Sequence, residues 1–254
     1  MKRTALLIVF AFIITIAVVP GHSYAVGIEG AIGYWMHTPS GDLQSDTTIP
    51  ISVIDLKDDL GYGDESRIMG RVKIDMPILP NIYLMATPME FEGTGSQSFD
   101  FGGSTFTGTY TSKLTLNHYD IALYYGLPFI ETATMDKFNI EVGLNARIVD
   151  IKAEINQTTP TVISESESFT GVVPMLYAGV QIRPIDLIAI EGEIRGIAYN
   201  DNQYIDYILR AKVKPLGPLF IAGGYRGEQL KVEEGDFKVD INVSGPFVEA
   251  GFEF

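Results

Sequence analysis

The chain has 254 residues, 46% of them hydrophobic and 20% charged, with 18 Lys and Arg against 32 Asp and Glu and no cysteine. A formal charge of -14 excludes the basic footprint that nucleic-acid binding requires. Zero cysteines exclude disulfide staples, so stability has to come from the fold itself.

Lys2 and Arg3 precede an unbroken apolar run over 5–19, followed by Pro20, Gly21 and the ending Ser23-Tyr24-Ala25. A positive start, a short apolar core and small residues at the last and third-last positions are the anatomy of a secretory signal peptide. The run falls short of the roughly 20 residues that a spanning helix needs. Cleavage is expected after Ala25, and with no cysteine at that site a lipid-anchored lipoprotein is excluded. The remaining chain, 26–254, carries 16 Lys and Arg against 32 Asp and Glu. No Pro-, Ser- or Gly-rich linker divides it, so one domain is expected.

Beyond the leader the apolar residues are spread as alternating segments. Alternation over about 9 to 11 residues is the mark of a barrel strand that crosses a bilayer. The first predicted strand is 26–37, with Ile28, Ile32, Tyr34 and Met36 on one face. The second is 66–76, where Ile68, Val72, Ile74 and Met76 oppose Arg67, Arg71, Lys73 and Asp75. The others follow at 82–92, 110–125, 138–151, 169–182, 187–199, 204–213, 219–230 and 245–254. Connections at 77–80, 183–186 and 214–218 are brief and proline-bearing, whereas those after the first, third, fifth and ninth strands are long and polar.

The predicted fold is all-β: a closed antiparallel transmembrane β-barrel of ten strands, with eight or twelve as the alternatives, and both chain ends on the short-turn side. A soluble sandwich or lipocalin-like barrel would alternate too, with its apolar face turned inward. Aromatics near strand ends (Tyr34, Trp35, Tyr124, Tyr125, Phe129, Phe138, Tyr199, Phe252 and Phe254) favour girdles at lipid interfaces instead.

If the apolar faces meet lipid, the opposite faces line the interior. The candidates are Arg71 and Lys73, then Glu141 and Arg147, then Glu191, Glu193 and Arg195, then Arg210 and Lys212, and Arg226. Both signs are present and can pair across the interior. Eight strands leave an interior just filled by side chains, while porins need about 16 for an aqueous channel. A ten-stranded interior crowded with long charged residues is expected to be occluded or threaded by a narrow path.

The fourth strand breaks phase. Leu114 and Leu116 hold even positions, but Tyr119, Ile121, Leu123 and Tyr125 hold odd ones, and a β-bulge near Asn117-His118 is the economical explanation. Beyond it His118 and Asp120 point inward together.

The connection after the first strand contains Asp55, Asp58, Asp59, Asp64 and Glu65 within eleven positions. Clustered oxygens hold calcium, but the spacing departs from an EF-hand loop, so the bland reading is a solvated loop and no metal or cofactor is assigned. Within it, 49–56 alternates and is a candidate short strand extending the wall.

The chain ends on an alternation without fault: Val248, Ala250, Phe252 and Phe254 are apolar between Glu249, Gly251 and Glu253. This resembles the C-terminal signal of bacterial outer-membrane barrels, which finish on an aromatic residue. The resemblance implies cell outer membrane as location, outer-membrane lipid and the barrel-assembly machinery as partners, and both termini in the periplasm. Gly223-Gly224, the acidic loop, 81–91, and His118-Tyr119-Asp120 leading to Tyr124-Tyr125-Gly126-Leu127-Pro128 resemble a family of roughly 250-residue Gram-negative outer-membrane barrels named for a Gly-Gly pair, which carries no assigned activity.

Ten-stranded outer-membrane proteases use His and Asp at the barrel mouth, and a His held by a carboxylate can act as general base. His118 lies about nine residues before the short turn at Pro128, which predicts a place deep toward the periplasmic half and not near the outer rim, and the chain lacks the His-x-Ser pairing of outer-membrane lipid hydrolases. No catalytic residue is assigned. Two functions from different classes fit: a narrow channel for small solutes, or a non-conducting surface or envelope protein that binds partners through acidic outer loops.

Overall fold

The computed structural model describes residues 26–45, 52–77, 79–127, 130, 133–135, 137–234 and 237–254; the leader at 1–25 and Phe129 lie outside them. The described residues form strands β1 (Gly27–Ser45), β2 (Ser52–Asp55), β3 (Glu65–Asp75), β4 (Asn81–Thr87), β5 (Glu90–Gly95), β6 (Phe99–Phe101), β7 (Ser104–Phe106), β8 (Tyr110–Gly126), β9 (Phe138–Gln157), β10 (Ile163–Ile185), β11 (Ile188–Tyr199), β12 (Asn202–Leu216), β13 (Leu219–Glu234) and β14 (Phe237–Glu253). Antiparallel pairing runs round the ring from β1 through β3, β4, β8 and each later strand to β14. β14 then pairs back onto β1, with Ile32 opposite Ala250 and Tyr34 opposite Val248. β4 and β5 occupy one wall position end to end, both beside β8. The ring is thus a closed ten-stranded barrel, and closure removes the free edges an open sheet would expose. β2 folds back on the outer part of β1, as the alternation over 49–56 suggested. β6 and β7 form a separate hairpin.

The apolar pattern changes sides partway up the wall. In the half nearer the short turns the exterior is apolar: Ile32 is 69% exposed, Leu144 66% and Leu176 68%, and Tyr119, Leu209, Ile221, Val248 and Phe252 join them in a continuous belt. A belt of this size around a closed barrel is a surface solvated by lipid. Above it the same strands turn Lys113, Thr115 and Asn117, or Asp150, Lys152 and Glu154, outward, and bury Leu114, Leu116 and Ile155. One chain therefore builds an inside-out barrel where lipid surrounds it and an ordinary water-facing barrel beyond. The hydrophobic effect acts on both halves; only the solvent differs.

That change of solvent overturns the expected bulge. β8 pairs with β9 in one register from Tyr110 opposite Gln157 to Gly126 opposite Glu141, and the pairing of β4 with β8 continues into β5 across Pro88 and Met89. Every even residue of β8 from Tyr110 to Tyr124 points inward. The phase of the apolar residues shifts at Asn117-His118 because lipid ends there, not because a residue is inserted. The connections after the fifth and ninth predicted strands are likewise not long loops. β9 and β10 continue to 157 and 163, and β13 and β14 to 234 and 237, in the polar-out pattern of the water-facing half. Two expected girdle aromatics, Trp35 and Tyr124, are buried, since odd residues of β1 and even residues of β8 face inward. Tyr34, Tyr125, Tyr199, Phe252 and Phe254 are exposed.

Gly224 of the Gly-Gly pair has a packing reason: a Cβ there would meet the Leu209 carbonyl oxygen at 2.0 Å, so only glycine lets β13 lie this close to β12. Gly223 faces outward with room to spare.

Candidate functional site

The interior at belt level is a tier of buried charge. Arg71 lies between Glu29 and Glu249, the latter 2.8 Å from its Nη2. Lys212 Nζ sits 2.9 Å from Glu29, 2.7 Å from Glu191 and 2.9 Å from Glu253. Arg210 meets Glu191 and Glu193 at 3.1 Å each and Glu249 at 3.6 Å. Lys73 reaches Glu141 at 3.1 Å and Glu193 at 3.6 Å. Higher up, Arg195 joins Glu193 at 3.0 Å to Asp206 at 3.7 Å. Arg147 binds Asp120 at 2.8 Å, Asp206, and Glu228 at 3.5 Å. Arg226 binds Asp206 at 2.9 Å and Glu228 at 2.6 Å.

Every one of these seven cations touches at least two carboxylates. This answers the desolvation problem: a buried charge is tolerated only when paired and hydrogen-bonded. Aromatic rings complete the lining. Arg195 lies 4.7 Å from the Tyr83 ring centroid, Arg147 4.7 Å from Tyr204, and Arg226 4.7 Å from Trp35.

His118, Asp206 and Glu228 bring three metal-type donor atoms within 4.8 Å of one another. The Arg226 guanidinium already holds that position, with Nη2 2.9 Å from Asp206 and 3.2 Å from His118 Nε2, so the trio is organised around a fixed cation. Asp120 is held by Arg147 and accepts from Asn145 Nδ2 at 2.7 Å. His118 and Asp120 therefore share a face, as the sequence suggested, and belong to one buried network. The other histidine of the described chain, His37, is wholly buried between Trp35 and Phe91.

Above the charges lies an apolar tier. Trp35, Met89, Phe91, Leu114, Leu116, Ile155, Ile241 and Val243 close the bore from the walls. The acidic connection then folds into the mouth: Leu56, Leu60 and Tyr62 are buried in the same cluster. Its backbone is clamped, with Tyr110 OH donating to the Asp59 carbonyl at 2.7 Å and Ser112 Oγ to the Leu60 carbonyl at 3.0 Å. A Cβ on Gly93 would meet the Leu60 oxygen at 2.1 Å, and one on Gly95 the Asp59 oxygen at 2.0 Å, so these glycines admit the loop. Burial pushes the Tyr62 phenol up to about 12. The acids are partly spent on the loop itself: Asp55 Oδ1 accepts from the amides of Lys57 and Asp58, and Asp59 Oδ2 from that of Asp55. The β6–β7 hairpin adds Phe99 and Phe106 as a second lid. Between the two tiers is a cavity of about 30 Å³ lined by Leu116, His118, Val149, Tyr204, Glu228 and Val243, room for about one water.

Arg71, Lys73, His118, Asp120, Glu141, Arg147, Glu191, Glu193, Arg195, Arg210, Lys212 and Arg226 thus occupy one interior. Val248, Ala250, Phe252 and Phe254 lie on the outer face of the closing strand. Sequence reasoning missed Glu29 and the rings of Tyr83, Tyr177 and Trp35; parity within their own strands was the available signal. It also missed the whole apolar tier, whose residues change role only because the surrounding solvent changes.

No protein-family model matches the chain, and no curated protein matches it. Solved structures do. The chain is similar to the outer membrane protease OmpT from Escherichia coli at 10% identity, covering 92% of this chain and 99% of that one with a TM-score of 0.53. It is similar at lower scores to Ail of Yersinia pestis, crystallised with the heparin analogue sucrose octasulfate (10% identity, 90% and 99% covered, TM-score 0.41). The translocator domain of the autotransporter NalP from Neisseria meningitidis also matches (9% identity, 99% and 96% covered, TM-score 0.43). The first of these supports the fold, a closed β-barrel.

Proposed function

We propose that the protein is an integral outer-membrane β-barrel that conducts nothing and presents its water-facing half outside the cell, to bind a partner or to reinforce the envelope. The observation that carries this reading is the filled bore. Each cation of the charged tier is neutralised in place, and the apolar tier and the loop over 56–62 close the bore above it. A solute path would have to break several buried ion pairs and expel packed aromatic residues. This favours the surface role over the narrow channel that the two-signed interior first suggested. The burial of the two histidines among the described residues, His118 under Arg226 and His37 under Phe91, favours a non-enzymatic role over hydrolysis. The resemblance of Val248 to Phe254 to an assembly signal supports delivery by the barrel-assembly machinery, with both termini periplasmic and residues 1–25 removed on export.

The chain has no cysteine, which makes its placement directly testable. Lys152→Cys should react with a membrane-impermeant maleimide on intact cells, while Lys214→Cys should react only after the envelope is opened. The reverse labelling would overturn the orientation. Liposomes containing the wild-type protein should swell in isosmotic small sugars no faster than empty ones, and sugar-dependent swelling would overturn the closed bore.

A further inference from the structure

The water-facing half has two seams where neighbouring strands part. On one side β3 and β5 are not paired, but this seam is sealed: the loop at 59–61 lies against Gly93 and Gly95, and Arg67 bridges to the Glu90 carbonyl and carboxylate at 3.3 and 3.2 Å. The other side differs. β10 pairs with β9 from Ile163 opposite Gln157 to Ile182 opposite Phe138, but with β11 only from Leu176 opposite Gly196 downward. β11 turns into β12 at 200–201; its residues 197–199 keep their pairing with β12 on the far edge but have no partner on β10. Among the described residues no strand pairs with the second edge of β10 over 163–175. The β6–β7 hairpin touches it only near the tip, where Ser104 Oγ donates to Glu165 at 2.6 Å.

The side chains confirm an opening. On β8 and β9, inward residues of this half are buried or half-buried, yet on β10 Glu167 is exposed and Phe169 is 60% exposed, and across the cleft Ile197 and Tyr199 of β11 are exposed too. Ser166, Ser168 and Thr170 on the alternate face are small, so a strand could approach closely. An unpaired edge presents a row of amides and carbonyls that pairs readily with another extended chain, and natural edges are usually covered or strongly blunted. Pro174 blunts only the lower end.

The charge around the cleft selects the occupant. Neither 163–175 nor 197–202 contains a Lys or Arg, and Glu165, Glu167 and Asp201 have no cationic partner among the described residues. A second copy is a poor fit. Two copies inserted the same way into one bilayer would bring their β10 strands together parallel, the weaker ladder, with like charges opposed.

We propose that the edge of β10 over 166–173 is a docking strand that takes up an extended cationic peptide by strand addition, its backbone pairing with β10 and its basic side chains facing Glu165, Glu167 and Asp201. This rests on the reading that this half lies outside the lipid, but not on whether the bore conducts.

The test uses the full protein in nanodiscs and a fluorescent ten-residue peptide of alternating Lys and Val, followed by anisotropy. Three results are expected. The peptide binds and protects the amides of 166–173 from hydrogen exchange. Methylating alternate peptide nitrogens, which deletes backbone donors and keeps the charge, weakens binding about tenfold or more. Glu167→Lys, an exposed change that leaves the barrel intact, weakens it by a similar factor. Absent binding, equal binding of the methylated peptide, indifference to Glu167→Lys, or protection elsewhere on the barrel would each overturn the proposal. So would dimeric particles whose β10 amides are protected without peptide, which would make a second copy the occupant. Failure here leaves the closed bore standing, because solute flux is read separately.

Discussion

Replacing Asp206 by Asn should cost about 3–5 kcal/mol of folding stability, the usual penalty for removing one partner of a buried ion pair. Asp206 is fully buried and accepts from Arg226 Nε at 3.1 Å and Nη2 at 2.9 Å and from Arg147 Nη2, with Arg195 Nη1 at 3.7 Å. Three guanidiniums share it, and their other acids, Asp120, Glu193 and Glu228, are already engaged. Asn keeps the shape but removes the charge and offers one acceptor where the carboxylate offered two. An uncompensated positive charge then remains in a medium that solvates it poorly. Trp35, the single tryptophan, stacks on Arg226 and reports on this tier directly. Urea unfolding from lipid vesicles, followed by Trp35 fluorescence and by the gel shift between unheated and boiled samples, measures the loss. Adding Arg226→Met to Asp206→Asn should recover more than half of it, since charge balance is restored. A single-variant loss below about 1 kcal/mol, or a double variant less stable than either single one, would refute the description of the tier as a mutually neutralising network.

Three further outcomes are expected. Gly93→Val should force the loop over 56–62 out of the mouth, because its Cβ would meet the Leu60 carbonyl oxygen at 2.1 Å, and trypsin should then cut after Lys57 at a rate the wild type resists. The Tyr62 phenol, pushed up to about 12 by burial, contributes stability that is complete below its ordinary value near 10 and lost as pH rises towards 12. Tyrosinate absorbance gained between pH 10 and 12 should therefore fall by one phenol in Tyr62→Phe, and protease protection of the loop should fall over the same window. Leu144→Arg should destabilise the barrel in bilayers by about 2–4 kcal/mol although the position is exposed, whereas Asn156→Arg on the same face of β9 should change little. Equal effects at the two sites would show that lipid does not end between them.

The ring, its closure and the charged interior were readable because lipid imposes a strict period of two, and Arg71, Lys73, Glu191, Glu193 and Arg195 stand out against it. Partner assignments were not readable. Arg71 and Glu249 are 178 positions apart and meet only because β1 lies between β3 and β14. The outer half was misread for a related reason: nothing in 110–117 states that water has replaced lipid outside, so Leu114 and Leu116 looked out of phase when they had simply become core. The same change disguised 152–157 and 163–168 as loops, since Lys152, Glu154, Ser164 and Ser166 alternate with residues that are only weakly apolar. The folding of the acidic loop into the mouth depends on glycines at 93 and 95, more than thirty positions downstream, whose role appears only once the two backbones are in contact.

If two packed tiers close the bore, single-channel recording from the wild-type protein in a planar bilayer will show it. An unbroken baseline is expected at either polarity, with insertion verified independently by the gel shift of protein recovered from the same vesicles. Reproducible ohmic steps from correctly folded wild-type protein would contradict the closed bore.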